Sequence, residues 1–240
     1  MFLRIWASFL LLHYYTKALI KGESMGFGIT KKSIDGIQWQ DYRAANTGMI
    51  VNYTSDPVSE IPIREIPEEF DSPVLPEPNY ESKSYGFYGC VRPKIRLAFA
   101  KSKIRYLFFI TKYMGTKEEF KDKIMITGYY HVFKTADVSK IHLRYVDDCA
   151  CLDADTCIAL RANEIKFVSA ADAYMVTDAM LKSWGYNAKV TKQLRIPLDA
   201  EQTAVVLDYL KAKPDATDTY IAETKRLQPH GNDEEEESEE

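Results

Sequence analysis

Two runs constrain this chain more than any other feature. RYLFFIT at 105–111 and KIMITGYYHVFK at 123–134 are dense in aromatic and β-branched residues, and they predict strands, the first of them buried. Gly128 interrupts the second run. Glycine weakens a strand, so one in that place marks a bulge or a close approach by another chain or ligand. Shorter strand pieces are read around Ile37–Trp39, Met49–Tyr53, Val91–Phe99 and Ile165–Val168. Three helices follow. The first is expected from Ser169 to about Trp184, with Asp172 as a cap partner and Gly185 as its left-handed terminator. The second begins after Asp199, which Gln202 complements as a capping pair, and runs to Lys213 before Pro214. The third spans roughly Thr217–Leu227. Strands followed by helices, with no repeat and no regular βαβ alternation, predict an α+β fold.

Between the early strand pieces and the two runs lies DPVSEIPIREIPEEFDSPVLPEPNY, which holds six of the ten prolines. Proline neither donates to a ladder nor sits in a helix interior. The stretch is therefore expected to be an extended linker, with an acidic strap across the body as the alternative. The first 24 residues, apolar and basic, contain an apolar run from Ile5 to Leu12, well short of the roughly 20 residues a spanning helix needs. They read as a helix packed on the body or an interface, as residues translated from a start upstream of the real one, or as a weak export signal. The organisation expected is a leader at 1–24, an N-terminal extension with the proline-rich linker at 25–80, a main domain at 81–228 and an acidic disordered tail at 229–240. The last eight residues, DEEEESEE, carry seven acids, so the formal charge of -4 hides a slightly basic body. Four cysteines in a chain with this much apolar residue are expected as reduced thiols in a cytoplasmic protein.

The charge distribution raises the functional question. From Ser82 to Lys117 there is no Asp or Glu, while Lys83, Arg92, Lys94, Arg96, Lys101, Lys103, Arg105, Lys112 and Lys117 are all basic. Aromatic residues are threaded through the same window. Lys and Arg suit phosphates because each neutralised phosphate releases condensed counterions. Exposed rings stack on bases for about 1–3 kcal/mol each. The competing reading is a strand with a wet face: Arg92, Lys94 and Arg96 alternate with Val91, Ile95 and Leu97 at period two. That reading predicts mixed charge on the wet face, which the window lacks.

Other chemistry is thin. DDCACLDADTC at 147–157 groups Cys149, Cys151 and Cys157 with four aspartates, but its spacing matches neither zinc knuckles nor an EF-hand, so no metal and no cofactor are expected. No nucleophile elbow, metalloprotease helix, Walker sequence or dinucleotide fingerprint occurs. His131 shares a strand face with Tyr129 and Phe133 and reads as structural. Tyr129, Tyr130 and Trp184 are candidates for a ring-lined pocket of the kind that holds unstacked bases, against packing in the core.

The strand ITGYYHVFK, preceded by RYLFFIT and by YGCVRPKIR, resembles the PUA-like barrel superfamily, and within it the nucleotide modification associated domains, with EVE and ASCH domains as relatives. VTDAMLKSWGYNA is similar to a segment of the same family. The resemblance covers roughly residues 84–210. It implies a small β-barrel with packed helices, in which Ile124–Phe133 is a central barrel strand and Cys90–Arg96 the entry to the cleft. Lys101-Ser102-Lys103 stands where relatives often carry a Gly-Asp turn. The function it implies is binding of nucleic acid or a modified base beside modification systems, without a reaction of its own.

These readings converge on a nucleic-acid-binding module with DNA or RNA as partner. Arg92, Lys94 and Arg96 are assigned to phosphates, with Lys101, Lys103 and Arg105 extending that surface. Tyr88, Tyr129, Tyr130 and Trp184 are the stacking candidates. The acidic tail is expected to compete for the same surface. The rivals are a metal-dependent enzyme of nucleotide or nucleic-acid modification built on the Cys/Asp cluster, and a membrane-surface protein whose leader enters the interface.

Overall fold

The structure, a computed structural model, describes residues 37–66, 77–87, 104–137, 158–187, 190 and 194–227. Eight strands form one mixed sheet: β1 (Gln40–Asp41), β2 (Gly48–Asn52), β3 (Ser84–Phe87), β4 (Tyr106–Lys112), β5 (Ile124–Asp137), β6 (Ile158–Phe167), β7 (Tyr174–Met175) and β8 (Arg195–Leu198). Among the described residues three α-helices accompany them: α1 (Asp178–Ser183), α2 (Ala200–Lys211) and α3 (Thr217–Leu227). The strand order is β3-β6-β5-β4-β2-β8, with β1 and β7 pairing onto opposite ends of the long β5. The β2–β4 pair is parallel; all other pairs are antiparallel.

The apolar runs explain this arrangement. In β4, Leu107 to Ile110 are fully buried without a break, which requires cover on both faces of the strand. Alternation then sorts the core into two layers. Met49, Val51, Leu107, Phe109, Tyr130 and Val132 belong to one cluster, which Tyr220 of α3 completes. Ile50, Phe108, Ile110, Ile126 and Tyr129 belong to the other, roofed by Leu181 of α1 and by Val206, Leu207 and Leu210 of α2. The sheet is thus a middle layer.

This overturns the barrel. In a small closed barrel one face of every strand points inward and the other outward, whereas here both faces of the central strands carry helices. The outermost strands, β3 and β8, pair only with β6 and β2, so among the described residues the sheet is open. Pro197 in β8 lacks an amide proton, as suits an edge. The α+β class stands; the PUA-like barrel does not, and Ile124–Phe133 is the middle of an open sheet.

Local corrections have local causes. The helix expected from Ser169 begins only at Asp178. Ser169 Oγ donates to Asp172 Oδ2 at 2.8 Å and closes a turn instead, and β7 then adds to β5 before Thr177 caps α1. Gly185 does end that helical segment, with φ of +78°. α2 carries the capping box of Asp199 and Gln202, and α3 spans the expected residues. The proline-rich stretch is no solvated tether over its described part: Asp56, Ser59 and Ile63 are buried, and Ile63 packs in the core. β2 lies inside the sheet, so one core takes in residues on both sides of position 80. The strand read at Val91–Phe99, the leader at 1–24 and the tail at 229–240 lie outside the described residues. Among those described, no helix is long and apolar enough to cross a membrane.

Gly128 performs both roles open to a strand glycine. The β4–β5 register slips between Phe109 and Ile110, leaving Thr127 as the extra residue beside it. A Cβ at Gly128 would lie 2.2 Å from the Tyr80 hydroxyl oxygen and 2.3 Å from the Lys166 carbonyl oxygen. Tyr80 lies on the sheet because Gly128 has no side chain. Its ring meets Tyr130 edge-on at 5.3 Å and Tyr220 at 4.6 Å, while its hydroxyl is buried without a hydrogen-bond partner. Gly128→Ala is expected to cost about 2 kcal/mol or more, read as a lowered Tm. Tyr80→Phe is expected to keep or raise Tm, because it removes a polar group that burial leaves unbonded. Combining the two does not restore wild-type stability, since the Lys166 carbonyl remains in the way.

Candidate nucleic-acid interface

The helical roof does not cover the whole sheet. Past the C-terminal end of α2, the register brings Tyr106, His131 and Glu164 into one row across β4, β5 and β6. The next row is Phe108, Tyr129 and Lys166. The first is half-buried where the second begins the core. Tyr106 stacks on His131 with ring centroids 5.0 Å apart and planes at 22°, and on Phe108 at 6.3 Å and 24°. Each ring of the Tyr106–His131 pair keeps part of its surface in solvent. A second slip in register, between His131 and Val132, leaves Asn163 unpaired on β6, and its side chain hydrogen-bonds His131. The bulge thus supplies a partner that a regular ladder would turn away.

Charged groups frame the stack. Glu164 Oε1 accepts from the Tyr129 hydroxyl at 2.6 Å and from Lys211 Nζ at 3.2 Å. Lys166 Nζ donates to the Lys211 carbonyl at 2.8 Å, a cation at the negative end of α2. Arg105 donates to Asn46 Oδ1 at 2.8 Å. Partial burial pushes the Glu164 carboxyl up, yet the bonds from Tyr129 and Lys211 and the charge of Lys211 outweigh it, and the net shift is downward. Glu164 is ionised at neutral pH. Burial of His131 lowers its pKa; Glu164 opposes that, while Arg105 and Lys211 add to it. The imidazole is neutral at pH 7, and the cluster carries a net positive charge. Tyr129 is pushed far above its ordinary value by burial and then by Glu164, so it acts as a donor only.

The residues singled out from sequence divide sharply. Arg92, Lys94, Arg96, Lys101, Lys103 and Tyr88 lie outside the described residues, as do Cys149, Cys151 and Cys157. Arg105 precedes Tyr106 in the chain and donates to Asn46, and only its charge reaches His131. Tyr129 and Tyr130 point to opposite faces, and both are buried: Tyr129 is bound to Glu164, and Tyr130 is packed against Tyr80 and Phe109. Neither ring has a free face for a base. Trp184 caps the end of α1 and packs, partly buried, against the core layer beneath α1 and α2. Two lysines of the basic window have acids from outside it. Lys112 meets Asp122 at 2.5 Å and Lys117 meets Glu60 at 3.6 Å. Mixed charge, absent from the window as sequence, is restored there in space.

The Tyr106–His131–Glu164 row was missed from sequence because its members come from three strands and a residue count reveals no cross-strand register. The weak signal present was His131 itself, an imidazole in an apolar strand. Among the described residues no group of His, Cys, Asp and Glu is placed to hold a metal ion. No family model, no curated protein and no solved structure matches the chain.

The His131 shift has a consequence for stability. The unfolded chain protonates near the ordinary histidine value, while the folded chain protonates lower, so between the two the unfolded state binds more protons. The contribution of His131 is complete above about pH 6.5 and is lost as pH falls toward the folded value. His131→Gln is expected to show a smaller fall in Tm than wild type between about pH 7 and pH 5.

Proposed function

We propose that this chain binds nucleic acid, with the Tyr106–His131 stack as the platform for a base and the surrounding cations as phosphate contacts. The observation that carries this reading is the stack itself: two near-parallel, partly exposed rings in the row that carries Glu164, with Lys166 and Lys211 held beside that carboxylate. Rings with an open surface accept any base, and cations around them hold the backbone, which is the general form of single-strand recognition. The basic run from Arg92 to Lys103 supports it from the sequence side, because it leads directly into Arg105 and Tyr106. In this reading Arg92, Lys94, Arg96, Lys101 and Lys103 contribute further phosphate contacts, and the acidic residues 233–240 compete with nucleic acid for them.

Binding to single-stranded RNA and DNA, measured across a salt series, tests this. Affinity is expected to fall steeply with salt, and an Arg92/Lys94/Arg96 triple alanine variant to flatten the log–log slope by about 2. Tyr106→Leu keeps an apolar side chain in place without a π face; it is expected to weaken binding about fivefold or more while leaving the slope unchanged. Removing residues 233–240 is expected to raise affinity at low salt. Absence of binding at low salt by the tail-deleted protein overturns the proposal.

A further inference from the structure

Glu164 differs from the other groups of the cluster. Both of its bonds, from Tyr129 and Lys211, end on Oε1. Oε2 accepts no hydrogen bond among the described residues, and the side chain is 44% exposed. In the row beside His131 there is therefore an ionised, partly exposed carboxylate whose Oε2 has no hydrogen-bond partner among the described residues. Next to it stands the Lys211 ammonium, 43% exposed, which uses one of its three protons on Glu164. Acceptor and donor sit side by side, negative next to positive, at the rim of a ring platform.

The Watson–Crick edges of the bases respond differently to such a pair. Adenine and cytosine each offer one amino donor flanked by a ring-nitrogen acceptor, which a carboxylate repels. Uracil and thymine offer one N–H between two carbonyl oxygens, with the same repulsion on both sides. Guanine alone presents two adjacent donors, N1–H and the N2 amino group, with the O6 acceptor beyond them. A carboxylate beside an ammonium is complementary to that order.

We infer that this face selects guanine in single-stranded nucleic acid, with Glu164 accepting from N1–H and the N2 amino group, Lys211 donating to O6, and the Tyr106–His131 stack holding the base plane. The inference rests on the nucleic-acid reading above and adds the identity of the base. It requires a single strand, because pairing occupies the same edge. Lys166 braces the arrangement by holding the Lys211 carbonyl, which fixes the end of α2 over β6.

The test uses the full chain and short oligoadenylates carrying one central guanine, cytosine or uracil, or none; a single guanine per strand avoids guanine quadruplexes. The guanine strand is expected to bind about tenfold more tightly than the others. Glu164→Gln keeps an acceptor for Tyr129 but loses the charge. It is expected to bring the guanine strand down to the level of the rest, with all strands, oligoadenylate included, bound equally or more tightly than oligoadenylate is by wild type, because a negative charge beside Lys211 is gone. Both side chains are half exposed, and a thermal melt confirms that the variant is folded. Equal binding of all strands, or preference for another base, overturns the guanine assignment and leaves nucleic-acid binding standing. No binding of any strand at low salt brings down the nucleic-acid reading, and the guanine assignment with it.

Discussion

The structure depends on burying β4 and the middle of β5 on both faces at once. Phe108 and Phe109 are consecutive, fully buried and directed to opposite sides. Each large apolar side chain taken out of water contributes about 1.5–3 kcal/mol, so neither face can be left bare. Every other element answers that requirement. On one side α3, the turn bearing Tyr80 and the segment from Tyr53 to Ile63 close over Phe109 and Tyr130. On the other, α1 and α2 close over Phe108, Ile110 and Tyr129. A sheet with both faces committed in this way is a middle layer with open edges.

One layer is built largely from tyrosines, which makes its polar accounting unusual. Tyr53 donates to the Pro62 carbonyl and lies 2.8 Å from Thr127 Oγ1, and Tyr220 donates to the Pro78 carbonyl at 3.1 Å. These bonds run from the core to the proline-rich segments and tie them down. Proline carbonyls are free to accept there because the segments form no continuous ladder of their own. Aromatic edges do the rest: Phe109 meets Tyr130 at 4.7 Å and Phe167 meets Tyr220 at 4.7 Å, both steeply inclined. Pro62 and Pro78, among the described residues, therefore belong to segments held down by tyrosine hydroxyls.

Function enters where this packing stops. Along β5 the face that carries Tyr129 in the core carries His131 at the rim, one pleat further on. The same alternation that buries one ring half-exposes the next. Where the roof ends, Glu164 and Lys211 gather beside rings that would otherwise be core. The bulge at Asn163 orients His131 there, as the bulge at Thr127 makes room for Tyr80 deeper in the sheet. Irregularities in the ladders on either side of the long strand thus mark both its tightest packing and its most polar corner.

Much of the local structure was legible in the residues alone. The aromatic and β-branched content of RYLFFIT and KIMITGYYHVFK determined two strands, the first of them buried, because such side chains suit a covered pleated surface. Asp199 with Gln202 determined where α2 starts, because that capping pair satisfies its own orphan amides within four residues. Gly128 marked a bulge or a close approach by another chain or ligand; the bulge is there, and the close approach is made by Tyr80 and Lys166 of the same chain. The tertiary structure alone decided that the sheet stays open, since closure depends on what covers the second face and not on any one strand. It decided that Tyr129 and Tyr130 are core, because face assignment follows from register. And it decided that Tyr106, His131, Glu164 and Lys211 meet, because their neighbourhood is made by hydrogen-bonded strands and a helix end rather than by spacing along the chain.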